Sequence, residues 1–535
     1  MKQKIIPFII TIVLGSLLYY VMLPPLNLSD PSFYPFAIFL ATIYYVSVQI
    51  SKFKLNNNII IKVKSKNSKQ WEEMYFVIGF VAVFVLIMFV NLINSPFFNA
   101  SKYYNRITIQ EDGVFEKDVP EVDFNALPLL DKDSSQKLGD RVMGQMPELV
   151  SQFSVSNLYT QINYNNEIVR VTPLEYADII KYFTNRKNGV KGYIIVNSVN
   201  GKVELVKLDK GMKYMPSALF NENLKRKLRF TYPTTIFGPE KFEIDEEGNP
   251  YWVVPTIKYA GVGLRPEVTG VVVLDPITGK STKYKVGEVP SWIDQVYPSS
   301  LILEQVNDWG KYKLGFWNSI FGQKSVVATT EGYNYLVMKD DVYLYTGITS
   351  VVADESNLGF ILTNLRTKDT VFYAVSGAEE YSAMASAEGQ VQHLNYRATF
   401  PLLINLNNTP TYLLSLKDNA GLVKMYALVD VTDYQKVAVS DAKDGIEAVV
   451  QKYLGNDDAT TDPDTLITKD ITISKIKDAI IDGTTYYYII DTNNNKYKLS
   501  IKVSPNTVPF MEVGETFNVS YKELADIYEI VKIND

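Results

Sequence analysis

Cysteine is absent from all 535 residues, and histidine occurs once, as His393. The first absence excludes disulfides, thiolate zinc centres and cysteine nucleophiles. The second leaves a zinc site to carboxylates almost alone and allows a histidine-dependent triad only around His393. His393 lies in Val391-Gln-His-Leu-Asn-Tyr396, read as a strand, where a lone histidine is structural. No Gly-x-Ser-x-Gly elbow occurs. Two Ser-x-x-Lys matches, Ser134 to Lys137 and Ser474 to Lys477, lack the companion motifs that would make a serine-lysine enzyme. Gly261-Val-Gly263 lacks the third glycine of a dinucleotide loop. The sequence therefore points to no catalytic residue, cofactor or metal.

Charge is missing from three apolar runs, residues 5–22, 33–50 and 75–93. Each approaches the ~20 residues needed to cross a ~30 Å hydrocarbon core. Tyr19, Tyr20, Tyr44, Tyr45, Trp71 and Tyr75 fall near their ends, where amphipathic rings prefer the interface. Leu-Pro-Pro-Leu follows the first run in place of a small-residue cleavage site, so that run reads as an anchor. Lys52, Lys54, Lys62, Lys64, Lys66 and Lys69 crowd the second connection, whereas the first has no Lys or Arg. Positive-inside counting places the N-terminus in the cytoplasm and residues 95–535 outside the plasma membrane. Residues 1–75 hold eight lysines and three acids, net +5; the chain is −6, so the remainder carries −11. Bulk charge of that sign argues against nucleic acid as a partner. The Lys/Asn/Ile/Tyr-rich composition resembles that of low-GC Gram-positive bacteria.

An internal repeat organises the chain beyond the third apolar run. Gly192-Tyr-Ile-Ile-Val-Asn-Ser-Val-Asn-Gly201-Lys202 matches Gly270-Val-Val-Val-Leu-Asp-Pro-Ile-Thr-Gly279-Lys280. Both read as hairpins whose last turn residue needs the positive φ that glycine supplies. Gly359-Phe-Ile-Leu-Thr-Asn-Leu-Arg-Thr-Lys368 is a weaker third copy. Helices are expected beside each: one opening at Thr172-Pro173, one at Ser291-Trp292 running into Leu301–Val306, and one from Ala378 to Gln390. The fold class is thus membrane-anchored α+β: three transmembrane helices (1–94), then helix-plus-antiparallel-hairpin modules at 95–210, 211–320 and 321–454. A linker (455–468) leads to a small β-barrel (469–535) whose five strands resemble an OB or SH3-like fold.

The stretch Phe242-Glu-Ile-Asp245-Glu-Glu-Gly248-Asn-Pro250-Tyr251-Trp252, with Asp275-Pro-Ile-Thr-Gly279-Lys280, resembles the PepSY-type module of exported bacterial proteins over about residues 242–309. That resemblance implies domains that bind or restrain partners in the envelope, often without catalysis. Acidic pairs at Asp245/Glu246/Glu247, Asp340/Asp341, Glu379/Glu380 and Asp457/Asp458 read as turns and solvated faces. The Asp491–Asn495 turn lacks the glycine and distal Glu of a calcium loop. The expected function is a non-enzymatic envelope protein that contacts the bilayer through its spans and a protein partner through its modules. Tyr251, Trp252, Trp292, Trp309 and Trp317 are the candidate contact residues. The alternatives are an envelope hydrolase acting on peptidoglycan or peptides, or a subunit of a secretion, conjugation or sporulation assembly.

Overall fold

The computed structural model describes residues 2–52, 66–124, 127–338, 340–351, 353–455, 467–481, 484–504, 507–523 and 527–534. Most of the lysine loop and of the 455–468 linker, with Asp457 and Asp458, lies outside these. The chain divides into two compact units, Met1–Ile446 and Glu447–Asp535.

Helices α1 (Lys2–Met22), α2 (Phe33–Lys52) and α3 (Lys66–Asn94) are long and apolar enough to cross a membrane, and are compatible with insertion. Gly15 lets α1 approach Leu40 of α2 closely. α3 meets α2 through stacking of Tyr45 on Phe76 at 4.6 Å. α4 (Pro96–Tyr104) carries the chain onward.

Beyond α4 the described residues of the first unit form four sheets of one topology, antiparallel except where Ile109–Gly113 runs parallel to Thr370–Tyr373. Sheet I comprises Phe153–Val155, Thr160–Tyr164, Glu167–Tyr176, Val190–Asn197 and Val203–Met212. Sheet II comprises Ile236–Phe237, Lys241–Ile244, Pro250–Lys258, Glu267–Leu274 and Ser281–Lys285. Sheet III comprises Val327–Thr329, Asn334–Met338, Asp341–Ser350, Ala353–Asn364 and Thr370–Tyr373, extended by Ile109–Gly113 and Gly377–Ala378. Sheet IV comprises Arg397–Ala398, Leu402–Leu406, Thr409–Lys417, Val423–Asp430 and Val437–Asp441. In each, two short strands pair end to end with a long third strand, and the fourth and fifth complete a meander. A helix precedes each sheet: Lys132–Gly144, Leu224–Thr231, Ser299–Tyr312 and Glu380–Gln390. The helix-and-hairpin unit therefore occurs four times rather than three. The boundary expected at residue 320 falls between the helix and the sheet of one unit.

The repeated turn has one chemistry. Asn197, Asp275, Asn364 and Asp430 each accept, on the side-chain oxygen, the backbone N–H groups two and three residues on. These are Asx turns, which replace a backbone partner with a short polar side chain. In the first three the turn closes at Gly201, Gly279 and Lys368, with φ of 72°, 73° and 73°. The weak third copy is thus a full structural copy, with lysine held where glycine is favoured.

The gap in the split edge strand explains a mistaken expectation. Pro173 and Pro255 sit inside the long third strands of sheets I and II, and Pro173 was expected to open a helix. Neighbouring strands pair with residues on either side of each gap, from 174 and 171 in sheet I and from 256 and 253 in sheet II. Each proline thus faces the gap, where no ladder acceptor needs its missing N–H. The corresponding positions in sheets III and IV are Gly347 and Ser415. Their N–H groups are satisfied by the Glu380 carboxylate at 2.8 Å and by Thr399 Oγ1 at 3.1 Å. Four sequences thus solve one backbone problem in two ways. The first-sheet helix begins later, over Ile179–Asn185, capped by Asp178.

The sheets pack face to face. Trp252, Val254, Val272 and Leu274 of sheet II bury against sheet I, while Val253, Val271 and Val273 bury against Val342, Leu344 and Ile361 of sheet III. Alternation carries successive residues to opposite faces, so sheet II is apolar on both. Phe360 meets Tyr412 at 5.9 Å between sheets III and IV. Lys417 of sheet IV pairs at 2.6 Å with Asp131, which caps the helix before sheet I, and Arg170 lines a small void with Leu402 and Leu413. The four sheets close into a propeller-like ring.

The second unit carries the helix over Ile446–Tyr453 and a closed five-stranded barrel, Ile467–Ile481, Thr484–Asp491, Lys496–Ser500, Thr516–Glu523 and Tyr528–Asn534. The third and fifth strands run parallel; the other pairings are antiparallel. Ile471, Ile489, Tyr497, Leu499, Val519 and Ile530 fill it. The Asp491 carboxylate is used by its own turn, accepting from the N–H groups of Asn493 and Asn495 at 2.8 Å.

Candidate functional site

The second strands of sheets I, II and III converge at one end of the ring. The connection between sheets II and III, residues 291–298, crosses there as irregular backbone rather than the Ser291-capped helix its sequence suggests. Ile293, Asp294, Gln295 and Val296 are buried along it. Irregular buried backbone needs side-chain partners, and carboxylates and amides supply them. Glu243 accepts from the Asp294 N–H at 3.1 Å, and Asp294 accepts from the Asn163 N–H at 2.7 Å. Gln295 donates to the Gln161 carbonyl at 2.8 Å, and the Val296 and Tyr297 N–H groups both donate to the Leu365 carbonyl.

Around this frame lies an accessible rim. Tyr251 and Trp292 are half-buried, with ring centroids 5.0 Å apart. Arg366 pairs with Asp341 at 2.5 Å and donates to the Ser291 carbonyl at 3.2 Å. Asn364 donates to the other Asp341 oxygen at 2.8 Å, and Asn163 donates to exposed Asp340. The rim combines two aromatic rings packed on each other and on the core, a fixed guanidinium and an exposed carboxylate.

The buried acids are electrostatically costly. Burial, offset in part by hydrogen bonds from backbone N–H groups, pushes the Glu243 carboxyl up to about 7. Burial, with the Glu243 charge adding to it, pushes Asp294 well above the ordinary carboxylate range. Burial also raises Glu380. Both Glu243 and Asp294 are sealed from solvent, so the pair can hold a proton but offers no face to a substrate. Acid-base chemistry needs contact with the reacting group.

The five aromatic candidates separate. Trp252 is fully buried against Phe242, its indole N–H donating to the Tyr214 carbonyl at 2.9 Å. Trp309 is buried in the core between sheets II and III. Burial leaves both without area for a partner. Tyr251 and Trp292 come together at the rim, and Trp317 is exposed elsewhere. His393 is exposed on a single 3-10 turn, Gln392–Leu394, not in a strand. The acidic pairs are not uniformly solvated: Asp245, Asp341 and Glu380 are buried while Glu246, Glu247 and Asp340 are exposed. Sequence reading missed Glu243, Asp294 and Arg366, isolated charges with no motif. The one available signal was an acid inside an apolar strand pattern, Phe242-Glu-Ile244.

The opposite end of sheet II meets the ends of α1 and α3. Arg226 and Arg229 donate to the Tyr20 and Leu23 carbonyls at 3.2 and 3.0 Å, capping the negative end of α1. Asn91 of α3 exchanges two hydrogen bonds with the Val262 backbone. Gly261 and Gly263, at φ of 78° and 73°, let that loop approach Asn91 and Pro31. Pro250–Lys258 connects the two ends, and the eight rises of ~3.3 Å between its nine residues separate them by about 26 Å.

No protein-family model matches the chain, and no curated protein matches it. Among solved structures, a levansucrase variant from B. megaterium aligns over 82% of this chain and 99% of that chain, at 8% identity and a TM-score of 0.17. A likeness that slight carries no argument about fold or activity.

Proposed function

We propose that this protein is a non-enzymatic, membrane-anchored component of a cell envelope, with a cytoplasmic N-terminus and residues 95–535 outside. Its ring binds an envelope protein at the end remote from the membrane helices. The observation that carries this reading is the Tyr251–Trp292 pair, beside Arg366 and Asp340 and mounted on a hydrogen-bonded frame. Rigid aromatic and arginine side chains on a prebuilt surface suit protein recognition because little entropy is lost on binding. The sequence resemblance of residues 242–309 to PepSY-type modules supports a role in binding or restraining a partner. The closed five-stranded terminal barrel serves as a further contact module.

Alkaline phosphatase fused after Lys102 should be active and after Lys69 inactive; the reverse pattern would overturn the orientation. Trp292→Ala in the full chain should lower recovery of the crosslinked partner from membranes about tenfold, equivalent to ~1.4 kcal/mol. Its melting temperature should fall by less than that of Trp252→Ala, since Trp292 is half-buried against the core between sheets II and III whereas Trp252 is buried fully. Unchanged recovery would exclude this end of the ring as the contact surface.

A further inference from the structure

The end of the ring that meets the membrane helices exposes large apolar side chains in two groups, each continuous with a helix end. The first follows α3. Phe97, three residues beyond Asn94, lies 5.3 Å from Phe316 and 5.6 Å from Trp317, and Trp317 stacks on Phe321 at 5.8 Å. Trp317 is 60% exposed and Phe321 78%. The second adjoins α1. Phe183 lies 6.1 Å from Phe220, and Ile180, on the same helix as Phe183, is 72% exposed. Phe220 is tied to α1 through its neighbours. Arg226 donates to the Phe220 carbonyl at 2.6 Å and lies 4.2 Å over the Tyr20 ring, whose hydroxyl reaches Asn221 at 3.4 Å. Phe230, half-exposed, packs 5.7 Å from Tyr19.

Such groups are out of place in water, where each large apolar side chain left exposed forgoes about 1.5–3 kcal/mol of burial. Their position supplies the missing environment. Tyr19 and Tyr20 occupy the last turn of α1, at the depth where aromatic rings mark the hydrocarbon boundary. Phe230, in ring contact with Tyr19, and Phe97, the third residue after α3, sit at that depth, and Arg226 and Asn221 hold Phe220 close to it. Phe220 is held there at φ 50°, a backbone conformation costly for a bulky residue and sustained only when its surroundings fix it.

We propose that this end of the ring rests in the headgroup region of the same bilayer, with Trp317 and Phe321 forming one lipid-inserted wedge and Ile180, Phe183 and Phe220 the other. The inference rests on the membrane-spanning reading of α1–α3 and is independent of which side the ring occupies. Two wedges, one beside the end of α1 and one beside the end of α3, hold the ring at a fixed tilt, so its opposite end is presented at a set height rather than swinging on a tether.

The absence of cysteine makes the test direct. Phe321→Cys, Ile180→Cys, Leu86→Cys and Tyr434→Cys are made singly in the full chain, labelled with an environment-sensitive fluorophore, and reconstituted into liposomes with or without doxyl-labelled phospholipid. All four positions are exposed, so each label is tolerated. Leu86, midway along α3, should lose most of its fluorescence to the doxyl lipid. Phe321 and Ile180 should show blue-shifted emission and comparable loss, and Tyr434, in a turn of sheet IV, should show neither. Quenching at Leu86 without quenching at Phe321 and Ile180 would overturn the wedges and leave the anchor intact. No quenching at Leu86 would overturn the anchor itself. Equal quenching at Tyr434 would show unselective surface contact and overturn the fixed tilt.

Discussion

The two ends of sheet II are built from opposite materials. At the membrane-helix end, arginines reach outward to cap α1 and aromatic side chains stay exposed. At the other end, acids and amides turn inward to satisfy an irregular crossing segment, and Tyr251 and Trp292 lie half-buried beside it. The same chain places its polar groups according to which backbone is left unpaired. A helix terminus needs donors at its carbonyls, whereas a buried connection needs acceptors at its N–H groups. Polar residues in this protein therefore report unsatisfied backbone more than they report chemistry.

Core substitution between the two ends should have the largest effect. Trp252→Ala removes a fully buried indole and orphans the Tyr214 carbonyl, and should destabilise the chain by roughly 3–5 kcal/mol in denaturant unfolding. A loss below that of Trp292→Ala would mean the core does not lie where sheets I and II meet. Next comes pH. Glu243 titrates at about 7 in the folded chain but near the ordinary carboxylate value unfolded, so the folded state binds its proton more tightly. The Glu243 contribution is full below about pH 4.5 and is lost as pH rises through 7, on the order of 3 kcal/mol. Glu243→Gln should flatten that fall while keeping an acceptor for the Asp294 N–H. A melting temperature equally pH-dependent in the variant would refute the buried-acid account.

The turn glycines test the repeat at smaller amplitude. A Cβ at Gly279 would press into the Tyr214 ring, whereas one at Gly201 would meet Leu130 at an ordinary 3.5 Å. Both incur backbone strain at positive φ, so Gly201→Ala should cost about 1 kcal/mol and Gly279→Ala clearly more. Equal losses would show that strain alone governs the turn. Smallest of all, Trp317→Ala should leave the melting temperature of the detergent-solubilised chain within about 2 °C of the parent, since the indole is exposed there. A large drop would place Trp317 in a core.

Much of this architecture was legible. Three uncharged apolar runs locate the three helices long and apolar enough to cross a membrane, because neither strand nor loop uses such lengths. The Gly-Lys hairpins locate two turns because only a few residues accept left-handed backbone. The small five-stranded barrel was legible because its strands are short and lie between turn-rich boundaries. The fourth repeat was missed because its turn, Asp430 to Lys436, carries no glycine. Thr172-Pro173 was read as a helix start because its proline is tolerated only by the gap in the neighbouring edge strand, a fact of pairing rather than of local sequence.

What the sequence determined alone was local: apolar length, alternation, turn chemistry, and the exclusion of thiol and histidine-rich centres. Closure of four sheets into a ring, the burial of Glu243 and Asp294, the separation of Trp252 from Trp292, and the docking of Arg226 and Arg229 on α1 were decided only by tertiary structure. Each joins residues from elements distant in the chain, and the free energy that selects them comes from contacts no local window contains.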